Sequence, residues 1–273
     1  MEILKDHQIL FDAECPMCKL YTKAIVNAGI LDDEGRVAYQ EVTEESCPMV
    51  DRQRAVNEIA LINHRTGEVT YGVQSLFKVM AAVMPGMRAL FSFKPFVWLM
   101  TKAYAFISYN RRVIIPAPVN SDRFQLQPTF RLGCRILYIV IMLLIVGSIL
   151  SAYAPLLNPI ITQGENYREY IICGGQILFQ AIVIILVKKD EIWSYLGNMM
   201  TVSFAGALLL LPLIWISKLV VVSPVIGVGW FLVVAGLMLL EHIRRCKLLG
   251  LGWVMTLTWV LYNVLSAIII SYA

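Results

Sequence analysis

Apolar and polar positions change rhythm along this chain, and each change marks an element. Residues 8–12 form a short apolar run of strand length. From Pro16 onward Met17, Leu20, Tyr21, Ala24, Ile25 and Ala28 follow helical spacing until Gly29 supplies a stop. Residues 36–42 are short and partly β-branched, and residues 48–56 suit a second helix opened by Ser46 or Cys47 with Pro48 at its first position. Residues 58–63 and 68–71, on either side of the turn His64-Arg65-Thr66-Gly67, read as a hairpin, after which residues 73–84 resume helical spacing. The predicted order is β-α-β-α-β-β-α: two strands joined by a crossover helix, then an antiparallel pair and a covering helix.

Beyond Met84-Pro85-Gly86 the rhythm turns helical and then uniformly apolar. Residues 95–110 carry Phe96-Val97-Trp98-Leu99-Met100 but are interrupted by Lys102, which predicts an amphipathic helix on the head or on a bilayer surface. Pro116, Pro118 and Pro128 among polar residues give 113–129 the chemistry of a linker. The predicted organisation is a head over residues 1–115, a linker over 116–130 and an all-α membrane part over 131–273. Five spans are expected, near 132–153, 170–187, 195–216, 225–240 and 251–272, the second and fourth being short.

Composition changes this picture only by confirming that lipid is a partner. The chain has 273 residues, of which 58% are hydrophobic and 15% charged, too apolar for one ordinary soluble domain. Its net charge of +4 falls wholly in residues 130–273, at the ends of apolar runs, so it reads as a topology signal and gives no support to nucleic-acid binding. Arg111, Arg112, Arg123, Arg131 and Arg135 lead into the first span, Lys188 and Lys189 follow the second, and Arg244, Arg245 and Lys247 follow the fourth. The opposite loops offer Arg168 and Lys218. Positive-inside orientation then puts the head in the cytoplasm of an inner-membrane, multi-pass protein. Residues 1–11 lack the apolar stretch of a secretory signal, which agrees.

The candidate chemistry sits at the first strand-to-helix junction, where Cys15-Pro16-Met17-Cys18 places two thiols one helical turn apart. If the helix begins at Pro16, Cys15 is its N-cap, beside unpaired backbone N–H groups and the positive end of the helix dipole, where thiolate is favoured. Cys18 lies deeper. Cys15 is therefore the expected attacking thiol and Cys18 the resolving one. Two other readings stand beside this: a pair of reduced cysteines that only pack the domain, and a zinc site drawing on Cys15, Cys18, Cys47 and His64. Asp12, three residues before Cys15, either accepts a loop N–H or shuttles a proton as the thiols ionise. Glu14 would by charge alone oppose a thiolate.

The segment Asp12-Ala13-Glu14-Cys15-Pro16-Met17-Cys18 resembles the Asp-x-x-Cys-x-x-Cys signature of the DCC family of thiol-disulfide oxidoreductases. Gly72, Met84-Pro85-Gly86 and Tyr109-Asn110-Arg111-Arg112 also resemble that family's pattern, over roughly residues 7–115. The resemblance implies a thioredoxin-like α/β fold, of which the order above is the minimal arrangement. It also implies protein-disulfide reductase or related exchange activity, with Cys15 and Cys18 as the redox pair, Asp12 as the remaining motif residue and a disulfide as the partner. One departure is visible: thioredoxins set a cis-proline just before the third strand, whereas Arg54-Ala55-Val56-Asn57-Glu58 contains none. The alternative class is a transporter or assembly scaffold whose head is a non-catalytic binding module. In the membrane part no second thiol pair is expected to form, since Cys134 and Cys173 fall near opposite ends of their spans. Gln176, Gln180, Asn198 and Asn263 are expected to bond helix to helix. Glu241, His242, Arg244 and Arg245 form the densest ionisable group there, expected as a cytoplasm-facing site for a quinone, a lipid headgroup or the docked head.

Overall fold

The computed structural model describes residues 4–42, 47–116, 128–162, 164–165 and 167–272. It falls into two compact units, Met1–Cys134 and Arg135–Ala273.

The first unit is built on a four-stranded sheet in the order β2-β1-β3-β4. β1 (His7–Phe11) is central because Ile9, Leu10 and Phe11 are apolar on both faces and all three are buried. It pairs in parallel with β2 (Arg36–Ala38) and antiparallel with β3 (Ala60–Asn63), which returns into β4 (Val69–Tyr71). Gly67 closes that hairpin with a φ of 74°, a conformation that side-chain-bearing residues resist. The alternation of side chains along β1 sorts the core into two layers. Ile9 and Phe11 pack with Leu61, Val79 and both motif cysteines on one side of the sheet, and Leu10 packs with Tyr39, Val56 and Ile62 on the other. α1 (Pro16–Asn27) is the crossover between β1 and β2, α2 (Arg52–Asn57) precedes β3, and α3 (Val73–Val83) covers the hairpin. The expected element order is the observed one.

Two local departures matter for the site. The strand expected over 36–42 ends at Ala38 and gives way to a 3₁₀ turn, Tyr39–Glu41, which aims Gln40 at the loop after β1. The second helix starts at Arg52 rather than Pro48, because the Asp51 carboxylate accepts the Arg54 N–H at 2.9 Å and so supplies the cap. Of the two residues expected to open that helix, Cys47 lies ahead of it and Ser46 is outside the described residues.

The head continues into α4 (Arg88–Ser92) and the 21-residue α5 (Lys94–Ile114), longer at both ends than its apolar pattern suggests. Phe77 of α3 stacks on Phe91 and Phe96, at centroid distances of 4.8 and 5.7 Å, and fixes both helices to the domain. Trp98 and Leu99 on the other side of α5 stay exposed, as an amphipathic helix requires.

The C-terminal part is helical: α6 (Leu132–Tyr153), α7 (Arg168–Lys188), α8 (Ile192–Ile216), α9 (Pro224–Leu248) and α10 (Trp253–Tyr272). Among the described residues four runs are long and apolar enough to cross a membrane, the second being Arg168–Ile216 with 49 residues. At 1.5 Å per residue such a run would reach roughly 70 Å, more than twice a hydrocarbon core of about 30 Å. A 3₁₀ turn at Lys189–Glu191 divides it into α7 and α8, so the five expected helices arise from four apolar runs. The expected fourth span, 225–240, belongs to the longer α9, in which Glu241 bonds Arg244 at 2.6 Å and Arg245 at 2.8 Å. Tyr195 donates to Gln180 at 2.8 Å and also meets His242 at 3.1 Å, joining α7, α8 and α9.

The cap on α2 gives a direct check of the departure seen there. Asp51→Ala is expected to cost about 1 kcal/mol of head stability, read as a lowered midpoint of denaturant unfolding, whereas Asp51→Ser should retain most of it.

Candidate active site

β1 ends at Phe11 and the chain turns immediately into α1, so the intervening loop is held at both ends by regular structure. Cys15 is the N-cap of α1, with extended backbone at φ −92° and ψ 109°, and Pro16 occupies the first helical position, where a missing N–H costs nothing. The Cys18 N–H donates to the Cys15 sulfur at 3.4 Å. Both thiols are buried and form no disulfide. The Cys18 thiol donates to Cys15, and this, with its backbone N–H and the Arg111 charge, lowers the Cys15 pKa from 9.0 to about 6 against burial and the Asp12 charge. Cys18 moves the other way: it keeps its proton for that hydrogen bond, and burial beside a Cys15 thiolate opposes a second charge.

Asp12 has a side chain only 2% exposed, yet every approach to it is matched. Its Oδ1 accepts the Glu14 N–H and a Gln40 side-chain N–H, each at 2.9 Å, and its Oδ2 accepts from Arg111 Nη2 at 2.6 Å. The carboxylate thus both caps the loop and forms a buried ion pair. Glu14 carries its own counter-charge, Arg112 Nη2 at 2.8 Å, which offsets the opposition to a thiolate that its position alone suggests. Two consecutive arginines at the end of α5 therefore clamp the two acids that flank Ala13.

Arg111 reaches further. Its Nη2 also donates to the Val56 carbonyl at 2.7 Å and its Nη1 to the Asn57 carbonyl at 3.3 Å, while Nε is buried without a partner among the described residues. Burial disfavours the guanidinium charge, but Asp12, with ionised cysteine sulfur beside it, outweighs that, so Arg111 is held firmly cationic. In the sequence Arg111 stands out only within the family pattern and as one of several basic residues before a span. The signal that could have found it is Asp12 itself, since a carboxylate placed between an apolar strand and a helix needs a cation beside it. Gln40 carried no signal, because its role depends on the 3₁₀ turn.

The residues of the zinc reading are not brought together. His64 sits at the start of β1, where its N–H donates to the Asp6 carbonyl at 2.8 Å and its ring meets Gln8 at 3.2 Å. A five-residue strand, about 17 Å, separates that end from Cys15. Cys47 packs on the opposite layer of the sheet with Leu10 and Tyr39.

In the second unit the ionisable group of α9 is divided. Arg245 Nη1 donates to Asn198 at 2.8 Å, and with Glu241 and Arg244 it forms a polar set. His242 instead faces inward, stacked on Trp259 with centroids 5.0 Å apart and in reach of Tyr195, Cys246 and Thr256. Gln180 also bonds Thr258 of α10 at 3.3 Å, so Gln180 and Asn198 do link helices. Asn263 donates to the Trp259 carbonyl of its own helix, and the Gln176 amide nitrogen is buried without a partner among the described residues.

Fold and loop together define a thioredoxin-like domain presenting an N-capping dithiol. The family model DCC1-like thiol-disulfide oxidoreductase matches residues 9–115, a stretch holding Asp12, Cys15, Cys18 and Arg111, and the four apolar runs follow it. The resemblance carried by the motif is thereby borne out. No curated protein and no solved structure matches the chain.

The Asp12–Arg111 pair makes a quantitative expectation. Arg111→Met leaves a buried carboxylate unpaired and should destabilise the head by about 3–5 kcal/mol. Adding Asp12→Asn should restore part of that loss, a coupling that thermal unfolding of the single and double variants would reveal.

Proposed function

We propose that the protein is a membrane-anchored thiol-disulfide oxidoreductase of the disulfide-reductase type, in which Cys15 attacks and Cys18 resolves. The observation that carries this is the position of Cys15 as the cap of α1, accepting from Cys18 and lowered to about 6, beside a Cys18 that holds its proton. At neutral pH the reduced pair is then one thiolate and one thiol, the state that exchange needs. The Cys15 thiolate attacks a substrate disulfide, forming a mixed disulfide and expelling one substrate thiolate. Cys18 gives up its proton and attacks the Cys15 sulfur, releasing the second. The substrate gains two electrons and two protons, and the Cys15–Cys18 pair becomes a disulfide that a cytoplasmic thiol reductant returns to the dithiol. Asp12 acts in this scheme as the anchor of the loop; its occupied oxygens favour that role over proton shuttling. The basic flanks of the apolar runs support an inner-membrane location with the head in the cytoplasm.

The pH dependence follows from the shift. A cysteine lowered from 9.0 to about 6 is protonated below that value and ionised above it. Alkylation of Cys15 by iodoacetamide in the reduced protein should rise through an inflection near pH 6 and be level by pH 8, and Cys18→Ala should move the inflection upward. An inflection near 9 in the unaltered protein would contradict the assignment. A Cys18→Ser variant should accumulate the mixed disulfide on Cys15, visible by mass spectrometry, and Cys15→Ser should accumulate none.

A further inference from the structure

The backbone beside the dithiol is already occupied. Val56 and Asn57 close α2, and Glu58 and Ile59 lead from it in extended backbone into β3; because Ala60 pairs with Leu10, this segment runs alongside the loop that carries Cys15. This is the segment where a thioredoxin presents its cis-proline. An extended peptide crossing the dithiol would have to pair with main-chain groups there, as in any strand addition. In this protein α5 takes those groups instead. The Ile59 N–H donates to the Tyr104 hydroxyl at 3.0 Å, the Asn57 carbonyl accepts from Ser108 and from Arg111, and the Val56 carbonyl accepts from Arg111. Tyr104, Ser108 and Arg111 lie at helical spacing on one face of α5, so a single stripe serves this one edge. Other groups of the segment are taken from within the domain: the Glu58 N–H bonds the Arg54 carbonyl and the Ile59 carbonyl accepts from Gly72, each at 2.8 Å. The Asn57 side chain is held by Thr129, whose N–H it accepts at 2.7 Å. Displacing α5 would break the Asp12–Arg111 and Glu14–Arg112 pairs and the phenylalanine stack.

We propose that α5 closes the main-chain docking edge beside Cys15 and restricts the substrate to low-molecular-weight disulfides. This rests on the thiol-exchange reading. A small disulfide needs only an in-line approach of one sulfur to the Cys15 sulfur, and it needs no pairing to residues 56–59. A polypeptide disulfide loses the hydrogen bonds that would hold its chain across the dithiol.

The test uses the full-length protein in detergent, reduced beforehand and freed of reductant, so that one equivalent of substrate oxidises one Cys15–Cys18 pair. Bis(2-hydroxyethyl) disulfide is compared with an unstructured peptide closed by one disulfide, the oxidised protein being counted by loss of alkylatable thiols. Wild-type protein should react with the small disulfide at least about tenfold faster than with the peptide, the penalty of one or two missing docking hydrogen bonds. Tyr104→Phe with Ser108→Ala frees part of the edge without touching Arg111. It should raise the peptide rate several-fold and leave the small-disulfide rate within about twofold. Equal wild-type rates for the two substrates overturn the proposal whatever the variant does, and so does a folded variant whose peptide rate is unchanged. A pair that cycles reversibly with dithiothreitol yet ignores the small disulfide overturns it also. A pair that forms no Cys15–Cys18 disulfide with any oxidant is a different result: the exchange reading itself fails, and the substrate assignment with it.

Discussion

The buried contact between Asp12 and Arg111 is the constraint on which the head depends. Two charges withdrawn from water cost several kcal/mol each unless their remaining lone pairs and protons are matched. Here the carboxylate is matched by a backbone N–H and Gln40, and the two terminal guanidinium nitrogens by the Val56 and Asn57 carbonyls. The pair therefore joins three pieces of chain that are distant in sequence: the loop after β1, the approach to β3, and the last turn of α5. Any one of them could shift alone only by exposing a charge to an apolar interior.

That closure shapes the thiol chemistry. Asp12 by itself would hold the Cys15 proton on, and Arg111 by itself would drive it off, so the two charges oppose each other with Arg111 the stronger. The acidity of Cys15 is then set mainly by Cys18, through its thiol and its N–H at the start of α1. A thiolate stabilised in this local way reacts readily at neutral pH, and the same stabilisation makes the reduced pair harder to oxidise than two ordinary thiols. Reactivity and potential are thus coupled mainly through the hydrogen bonding of Cys18 to Cys15.

The strands, the crossover helix, the hairpin and the capping position of Cys15 were legible in the sequence because each is a local pattern. Apolar periodicity, a proline at the first helical position and a glycine in a turn act within a few residues. Where a competing local bond existed, the pattern misled: Asp51 captured the start of α2 from Cys47 and Pro48, and the 3₁₀ turn shortened β2. Arg111 was hidden for another reason. Its partner lies 99 residues earlier, and its composition context is that of a basic flank before a membrane span. In the second unit, Gln180 and Asn198 bond between helices, whereas Asn263 bonds within its own, a distinction that helical phase alone does not make.

The absence of a proline before β3 acquires a physical reason from the same contact. Main-chain groups ahead of β3 can bind a partner strand only where they are left free. In this head those groups turn toward α5, which satisfies them with a tyrosine hydroxyl, a serine hydroxyl and a guanidinium. Buried backbone polar groups must be paired, so the long C-terminal helix and the missing proline are two sides of one solution. α5 thereby turns these groups inward, and Asp12, through Arg111, fastens α5 to the dithiol loop.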